Sequence, residues 1–333
     1  MLLARFDKYS VTEVRKGKMD SYVIWRHGSG FFSIVAGVLG KLHLADELGA
    51  VPYIDLETHP TPYQQENPIR GSRNVWDYYF QPVSNISREE AFSNNVHNPG
   101  GEYPSGVPYS MVKSPIFRLM WDKYVRINTS AAEEIRALGT VSSAGPKILG
   151  VHFRGQEMRT AAGHPLPPTI RQMVGASKKI LDSEEFDNIF LVTEASQYVA
   201  PFRRAFGPRL SVSPTFRMHF RNSYALQNEP RVNHRYWLGL ETLNDALTLA
   251  QCGGILGSYS NLTEAGEMLG GTHQRFVGKI SNGTNIRPKG FRHLNWYLKS
   301  ISPTRLGGFR NWEEALRTSA PRHPEGSPQG DLG

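Results

Sequence analysis

From residue 147 to residue 280 the chain repeats one pattern: a short apolar run, a polar loop, then a stretch with helical periodicity. The runs "ILGVHF", "DNIFLVT", "RLSVS", "GGILGS" and "QRFVGKI" read as strands, the last of them ending the series. Between them, residues 169–181, 195–207, 240–252 and 261–270 read as helices. Leu243, Leu247 and Ala250 share one face of the third helix. A strand followed each time by a helix long enough to cross over predicts a doubly wound parallel sheet. The N-terminal part starts the same way. A β-rich run ends at Trp25, a glycine turn follows, residues 31–48 read as a helix closed by Gly49, and "VPYIDL" is a second strand.

A chain of 333 residues with two such beginnings predicts two α/β domains. Residues 58–110 are rich in Pro, Gly, Asn and aromatics and read as a functional insertion. "SAAEEIRALG" is a helix closed by Gly139, and "TVSSAGP" reads as a linker. The expected division is 1–145, carrying the loop-rich insertion 58–110, and 146–318. Residues 319–333 have almost no apolar content and are expected to be disordered.

Net charge is +8 with a pI near 9.5, which favours anionic partners: nucleotide phosphates, anionic membrane surfaces or nucleic acid. The charge is dispersed, with no run of basic residues, which argues against nucleic acid. The lone Cys252 allows no intrachain disulfide, and "LAQCGGIL" marks it as a small core residue. No GxSxG, HExxH or cysteine cluster occurs, and neither a metal nor a bound cofactor is expected. The N-terminus is too poor in apolar residues for a signal peptide, and no window suggests a transmembrane helix. A cytoplasmic location is the expectation. The Asn-x-Ser/Thr triplets at Asn85, Asn128, Asn261 and Asn282 are then read as chance.

Ligands of open α/β sheets bind beyond the carboxyl ends of the strands. Three polar clusters stand there: His152 with Arg154 and Glu157, Thr193 with Glu194, and Ser258 with Ser260 and Asn261. Arg154 offers a planar fork of donors for phosphate oxygens, or else a surface ion pair. His152 either touches a ligand or is a satisfied, partly buried histidine. "GSYSNLTEAGE" combines hydroxyls with a helix N-terminus, which favours an anion. Ser260 or Asn261 can equally be a plain N-cap, with Glu264 completing a capping box. In "RHGSGF", Gly28 and Gly30 permit close approach of a ligand to the backbone. Asp245 is either a solvated helix residue or a ligand to a base or ribose.

"GVHFRGQE" resembles the His-x-Arg peptide of the α1,6- and protein O-fucosyltransferase superfamily, which includes the bacterial nodulation fucosyltransferase. "NDALTLAQCGGILGSYSNLTEAGE" is similar to the family segment running from an aspartate through a strand to a Ser-rich diphosphate turn. "IFLVTE" and "RHGSGFFS" are similar to two further family motifs. The resemblance implies a GT-B-like fold, with two Rossmann-type domains facing each other across a donor cleft, and 146–318 binding the nucleotide sugar. It implies inverting, metal-independent transfer of fucose from GDP-fucose to an oligosaccharide or glycoconjugate. By position, Arg154 would bind the β-phosphate, His152 would flank it, and Asp245 would contact guanine or ribose. Ser258, Ser260, Asn261 and Leu262 would line the diphosphate turn, and Gly28, Ser29 and Gly30 would approach the nucleotide.

The sequence departs from the α1,6 branch in places. A second basic residue after the arginine is replaced by Gly155, and the branch's lysine and downstream glutamate fall on Met158 and Ala162. Glu157 and Glu194 are the candidate general bases by chemistry, or structural partners of nearby arginines. Another nucleotide sugar as donor, or an inactive GDP- or glycan-binding protein, remain the alternatives. "NVWDYYFQP" and "EYPSGVPYSMV" are an acceptor surface or, for Trp76, Tyr79 and Phe80, core.

Overall fold

The computed structural model describes residues 20–26, 30–93, 95–98, 100–154, 157–160, 163–184, 186–219, 230–286, 288 and 291–319, and of Glu157 the backbone alone. In chain order the first part runs β1 (Asp20–Ile24), α1 (Phe31–Leu48), β2 (Val51–Ile54), α2 (Arg88–Ser93), β3 (Asn95–His97), α3 (Ile116–Tyr124), α4 (Thr129–Leu138) and α5 (Thr140–Ser143). Then follow β4 (Ile148–His152), α6 (Ile170–Ser183), β5 (Asn188–Val192), α7 (Val199–Phe206), β6 (Leu210–Val212), α8 (His234–Gln251), β7 (Gly254–Ser258), α9 (Asn261–Gly270) and β8 (Phe276–Ile280). The described chain ends with α10 (Arg292–Ile301), α11 (Trp312–Ala315) and β9 (Leu316–Thr318).

Two parallel sheets result. The first has the order β2-β1-β3, the second β6-β5-β4-β7-β8-β9, with only β9 antiparallel. Ranked along the chain, the five parallel strands of the second sheet stand 3-2-1-4-5. The strand order therefore reverses between β4 and β7, where His152 stands opposite Gly257. A crevice opens at such a reversal because the two flanking crossovers leave on opposite faces of the sheet.

Local chemistry explains the element ends. Gly49 takes φ +63° at the end of α1 and so permits the reversal into β2. Thr169 and Gln172 form a reciprocal capping box at the start of α6. α1 is buried almost all round, because β1, α3 and α9 each cover part of it. Each fully buried Leu, Val or Phe of this kind stabilises by about 1.5–3 kcal/mol.

Several sequence expectations change. Helix α8 begins at His234, upstream of the expected start, because Gly239 continues the helix instead of breaking it. A Cβ at Gly239 would stand 2.1 Å from the Tyr79 hydroxyl, so the missing side chain lets α8 reach the aromatic cluster of the first sheet. Tyr79 and Tyr236 stack there, and the Tyr79 hydroxyl donates to the Tyr236 carbonyl at 3.0 Å. The core of the first sheet thus contains Leu240, Leu243 and Ala246 of α8 and Ala265 and Met268 of α9. Part of "TVSSAGP" is helix α5, held when Thr140 donates to Asn244. Neither β3, inside the loop-rich insertion, nor β9, beyond the strand expected to be last, carries a run long enough to read as a strand. Ser319, expected in the disordered tail, donates its N–H to the Val277 carbonyl, and residues 320–333 lie outside the described residues. Trp76, Tyr79 and Phe80 are core residues and not an acceptor surface. Cys252 is core as expected, its thiol against the Thr248 carbonyl.

Candidate functional site

A cavity of ≈ 630 Å³ opens at the reversal point between β4 and β7. One wall is the start of α1, another the residues following β4 and β5, a third one face of α8, and the floor is the start of α9. Both α1 and α9 direct their N-terminal turns at it: Gly30 to Ser33 from the first, Ser260 to Leu262 from the second. Helix N-termini carry partial positive charge, so two of them on one cavity favour an anion. Arg154 lines the same space and reaches the first part of the chain. A Cβ on Gly30 would stand 3.9 Å from its Nη1.

His152 closes β4 and is 2% exposed. Its Nδ1 lies 2.7 Å from Thr263 Oγ1. The Thr263 hydroxyl donates its one proton to the Ser258 carbonyl at 2.9 Å, so toward His152 it accepts. This network assigns the proton to Nδ1 and leaves Nε2 as an acceptor. Burial, with the charge of Arg154 beside it, pushes the imidazole pKa down to about 3, so the ring is neutral. Gly257 makes the contact possible, because a Cβ there would meet Thr263 Cγ2 at 2.6 Å.

At the far wall Asp245 and Glu241 stand one turn apart on α8, both nearly buried. Arg231 clasps Glu241 with two bonds, Nη1–Oε1 at 2.6 Å and Nη2–Oε2 at 2.8 Å, and the Phe216 N–H donates to the same carboxylate. Asp245 accepts one bond from Ser213 Oγ. Its pKa is pushed up to about 8, mainly by burial and then by Glu241, against the lowering effects of Ser213 and Arg217. Asp245 therefore holds its proton at neutral pH, one helical turn from the Arg231-clasped Glu241.

The structure brings together on this cavity Gly30, His152, Arg154, Glu194, Asp245, Ser260, Asn261 and Leu262. Ser258 ends β7 behind the wall, its hydroxyl buried without a partner among the described residues. Gly28, Ser29, Gly155, Ala162 and the side chain of Glu157 lie outside the described residues. Ser260 is the N-cap of α9, accepting from the Leu262 N–H. Glu264 completes no capping box with it. Its carboxylate instead accepts from the Ser110 hydroxyl and the Met111 N–H, both at 2.9 Å, and ties the insertion to α9. Sequence reasoning missed Glu241, although its spacing of four from Asp245 placed it on the same helix face. It also missed Arg26, which lines the cavity and donates to the Gly101 carbonyl, and Thr263. Tyr109 of "EYPSGVPYSMV" is exposed and lines the cavity.

Among the described residues no helix is long and apolar enough to cross a membrane. Nor does any group of three His, Cys, Asp or Glu side chains among them stand ready to hold a metal ion.

No protein-family model matches the sequence, and no curated relative does. Solved structures do match. NodZ alpha-1,6-fucosyltransferase co-crystallised with GDP aligns with TM-score 0.53 and 16% identity, over 80% of this chain and 96% of that one. NodZ soaked with GDP-fucose aligns with TM-score 0.52 and 16% identity, over 78% and 95%. The selenomethionine form of NodZ from Bradyrhizobium aligns with TM-score 0.53 and 16% identity, over 80% and 96%. The chain has the same GT-B-type α/β fold.

Proposed function

We propose that this chain is a glycosyltransferase that moves fucose from GDP-fucose to a hydroxyl of a glycan or glycoconjugate, with inversion at the anomeric carbon. The observation that carries the reading is the convergence of Arg154 with the N-termini of α1 and α9 on one cavity, in a fold shared with a fucosyltransferase crystallised with GDP. The residues divide the donor between them. Arg154 and the helix ends suit the diphosphate, and the Asp245/Glu241 wall suits the N–H donors of guanine. His152, neutral, offers Nε2 as an acceptor to a hydroxyl or N–H of the nucleotide.

The chemistry follows from charge. Breaking the glycosidic bond puts negative charge on the departing GDP and positive charge on the sugar ring. A fixed guanidinium and two preorganised helix ends stabilise that negative charge without reorganising. The acceptor hydroxyl must lose its proton as its oxygen attacks, and Glu194 is the base we assign, as the carboxylate that follows β5 onto the cavity wall.

Titration calorimetry with GDP and UDP, followed by transfer assays with GDP-fucose and GDP-mannose over a glycan panel, tests the reading. GDP binding with fucose transfer is the expected result. Absence of GDP binding refutes it. GDP binding without turnover establishes the second reading, an inactive GDP- or glycan-binding protein. That reading draws support from Met158, an apolar residue on the cavity wall where the resembling α1,6 enzymes have a lysine.

A further inference from the structure

Helix α10 is amphipathic in the wrong direction. Its buried anchor is Trp296, 8% exposed, whose indole N–H donates to the Pro167 carbonyl while the Arg159 guanidinium lies 3.7 Å from the ring centroid. The side chains at 294, 297, 298 and 301 follow the i, i+3, i+4, i+7 spacing of one helix face, and that face points to solvent. Leu294, Tyr297, Leu298 and Ile301 are each about half exposed or more, and Phe291 and Leu306 extend the stripe at its two ends. Seven of the twelve large hydrophobic side chains exposed among the described residues fall between 286 and 306. Scattered singly they would need no explanation, but a contiguous patch of several hundred Å² is roughly the size that marks a contact surface.

Charge decides what the surface fits. Residues 286–311 contain six Arg or Lys and no Asp or Glu. A second copy of the chain seated here would oppose two acid-free basic faces. Residues 1–19 are net basic, and residues 320–333 hold a single large apolar residue, Leu332, so neither of these segments complements the patch. An apolar stripe flanked by cations, with Phe and Tyr at its edge, matches the boundary between lipid headgroups and acyl chains. We propose that α10 and its flanking residues dock this protein peripherally on an anionic membrane surface. Lys299 and Arg305 meet the headgroups while Leu294, Leu298 and Ile301 enter the interface. Nothing in this inference depends on the glycosyltransferase reading.

The test is flotation of the full chain with vesicles of phosphatidylcholine alone and of phosphatidylcholine with about 30% phosphatidylserine. Binding is expected to the anionic vesicles, weaker by roughly tenfold or more in high salt and for Leu298→Glu/Ile301→Glu or Lys299→Glu/Arg305→Glu. None of the four positions lines the cavity, so GDP affinity should be unchanged in these variants; melting temperature should be unchanged in Leu298→Glu/Ile301→Glu, whereas Lys299→Glu also gives up the Lys299 bond to the Gly307 carbonyl. As a second measurement, Leu298→Cys labelled with a polarity-sensitive dye should shift to the blue on anionic vesicles; Cys252 is buried and does not compete. No binding by the parent chain, equal binding by parent and variants, or no dye shift overturns the proposal. So does a dimer in sedimentation velocity that Leu298→Glu/Ile301→Glu abolishes, which would assign the face to self-association.

Discussion

Asp245→Asn should remove a slope from the dependence of stability on pH. The Asp245 carboxyl has its pKa raised from 3.8 to about 8 in the folded protein, with burial as the main cause. Its folded value exceeds its unfolded value, so the folded state holds the proton longer. The stabilisation this confers is fully present below about pH 4 and is lost as pH rises through about 8. At about 1.36 kcal/mol per pH unit, the full effect is on the order of 5–6 kcal/mol, of which roughly 1 kcal/mol remains at pH 7. Asparagine has the same shape and no proton to lose. The stability of the parent relative to Asp245→Asn should therefore fall by about 3 kcal/mol from pH 5 to pH 7 and level off above about pH 9. Urea unfolding followed by tryptophan fluorescence across that range measures it. His152, held neutral by burial, acts in the opposite sense as pH falls, but it is common to both proteins and cancels in the difference. Parallel stability curves for the two proteins would refute the reasoning. The same carboxyl links stability to binding, since guanine N–H donors favour its ionised form. GDP binding near pH 7 should release a proton, visible as a buffer-dependent calorimetric heat. Asp245→Asn should bind GDP roughly 10–100-fold more weakly, the range for losing a charged hydrogen bond.

Arg154→Ala should lower turnover by roughly 10²–10³, on the scale of one preorganised donor to the leaving group, and Arg154→Lys should recover only part of it. Steady-state kinetics decide this, and unchanged turnover would remove Arg154 from the mechanism. Thr263→Val strands the His152 Nδ1–H and the Ser258 carbonyl in the interior and should cost about 2–4 kcal/mol in chemical denaturation. Thr263→Ser keeps the hydroxyl and should cost distinctly less. The buried pair Lys279–Glu267, 2.7 Å apart between β8 and α9, predicts a non-additive result. Lys279→Met alone should cost about 3–5 kcal/mol by removing the lysine partner of the buried Glu267 carboxylate, and Glu267→Leu/Lys279→Met should recover most of that loss. Equal stabilities for the single and double variants in urea would contradict it.

The alternation of the second half was legible because strand and helix periodicities are local. The runs at 148–152, 188–192, 254–258 and 276–280 needed no knowledge of their neighbours to be read as strands. Their parallel order is a consequence of crossover geometry, and with it the gathering of His152, Arg154, Glu194 and Ser260 at one edge. What resisted local reading were β3 and β9, strands of three residues each, made only by the partners they pair with. α10 resisted as well, since its apolar stripe faces solvent instead of a core.

Sequence alone determined the kinds of group available, a guanidinium and an imidazole at the end of one strand and a hydroxyl-rich turn after another, because residue type and spacing are properties of the chain. Tertiary structure alone decided their chemical states. It left Asp245 protonated beside a Glu241 clasped by Arg231 and placed the His152 proton on Nδ1. It also drew Glu264 away from its own helix end to the Ser110 hydroxyl. Protonation and partner choice depend on burial and on charges brought close from distant parts of the chain, and neither exists until the chain has folded.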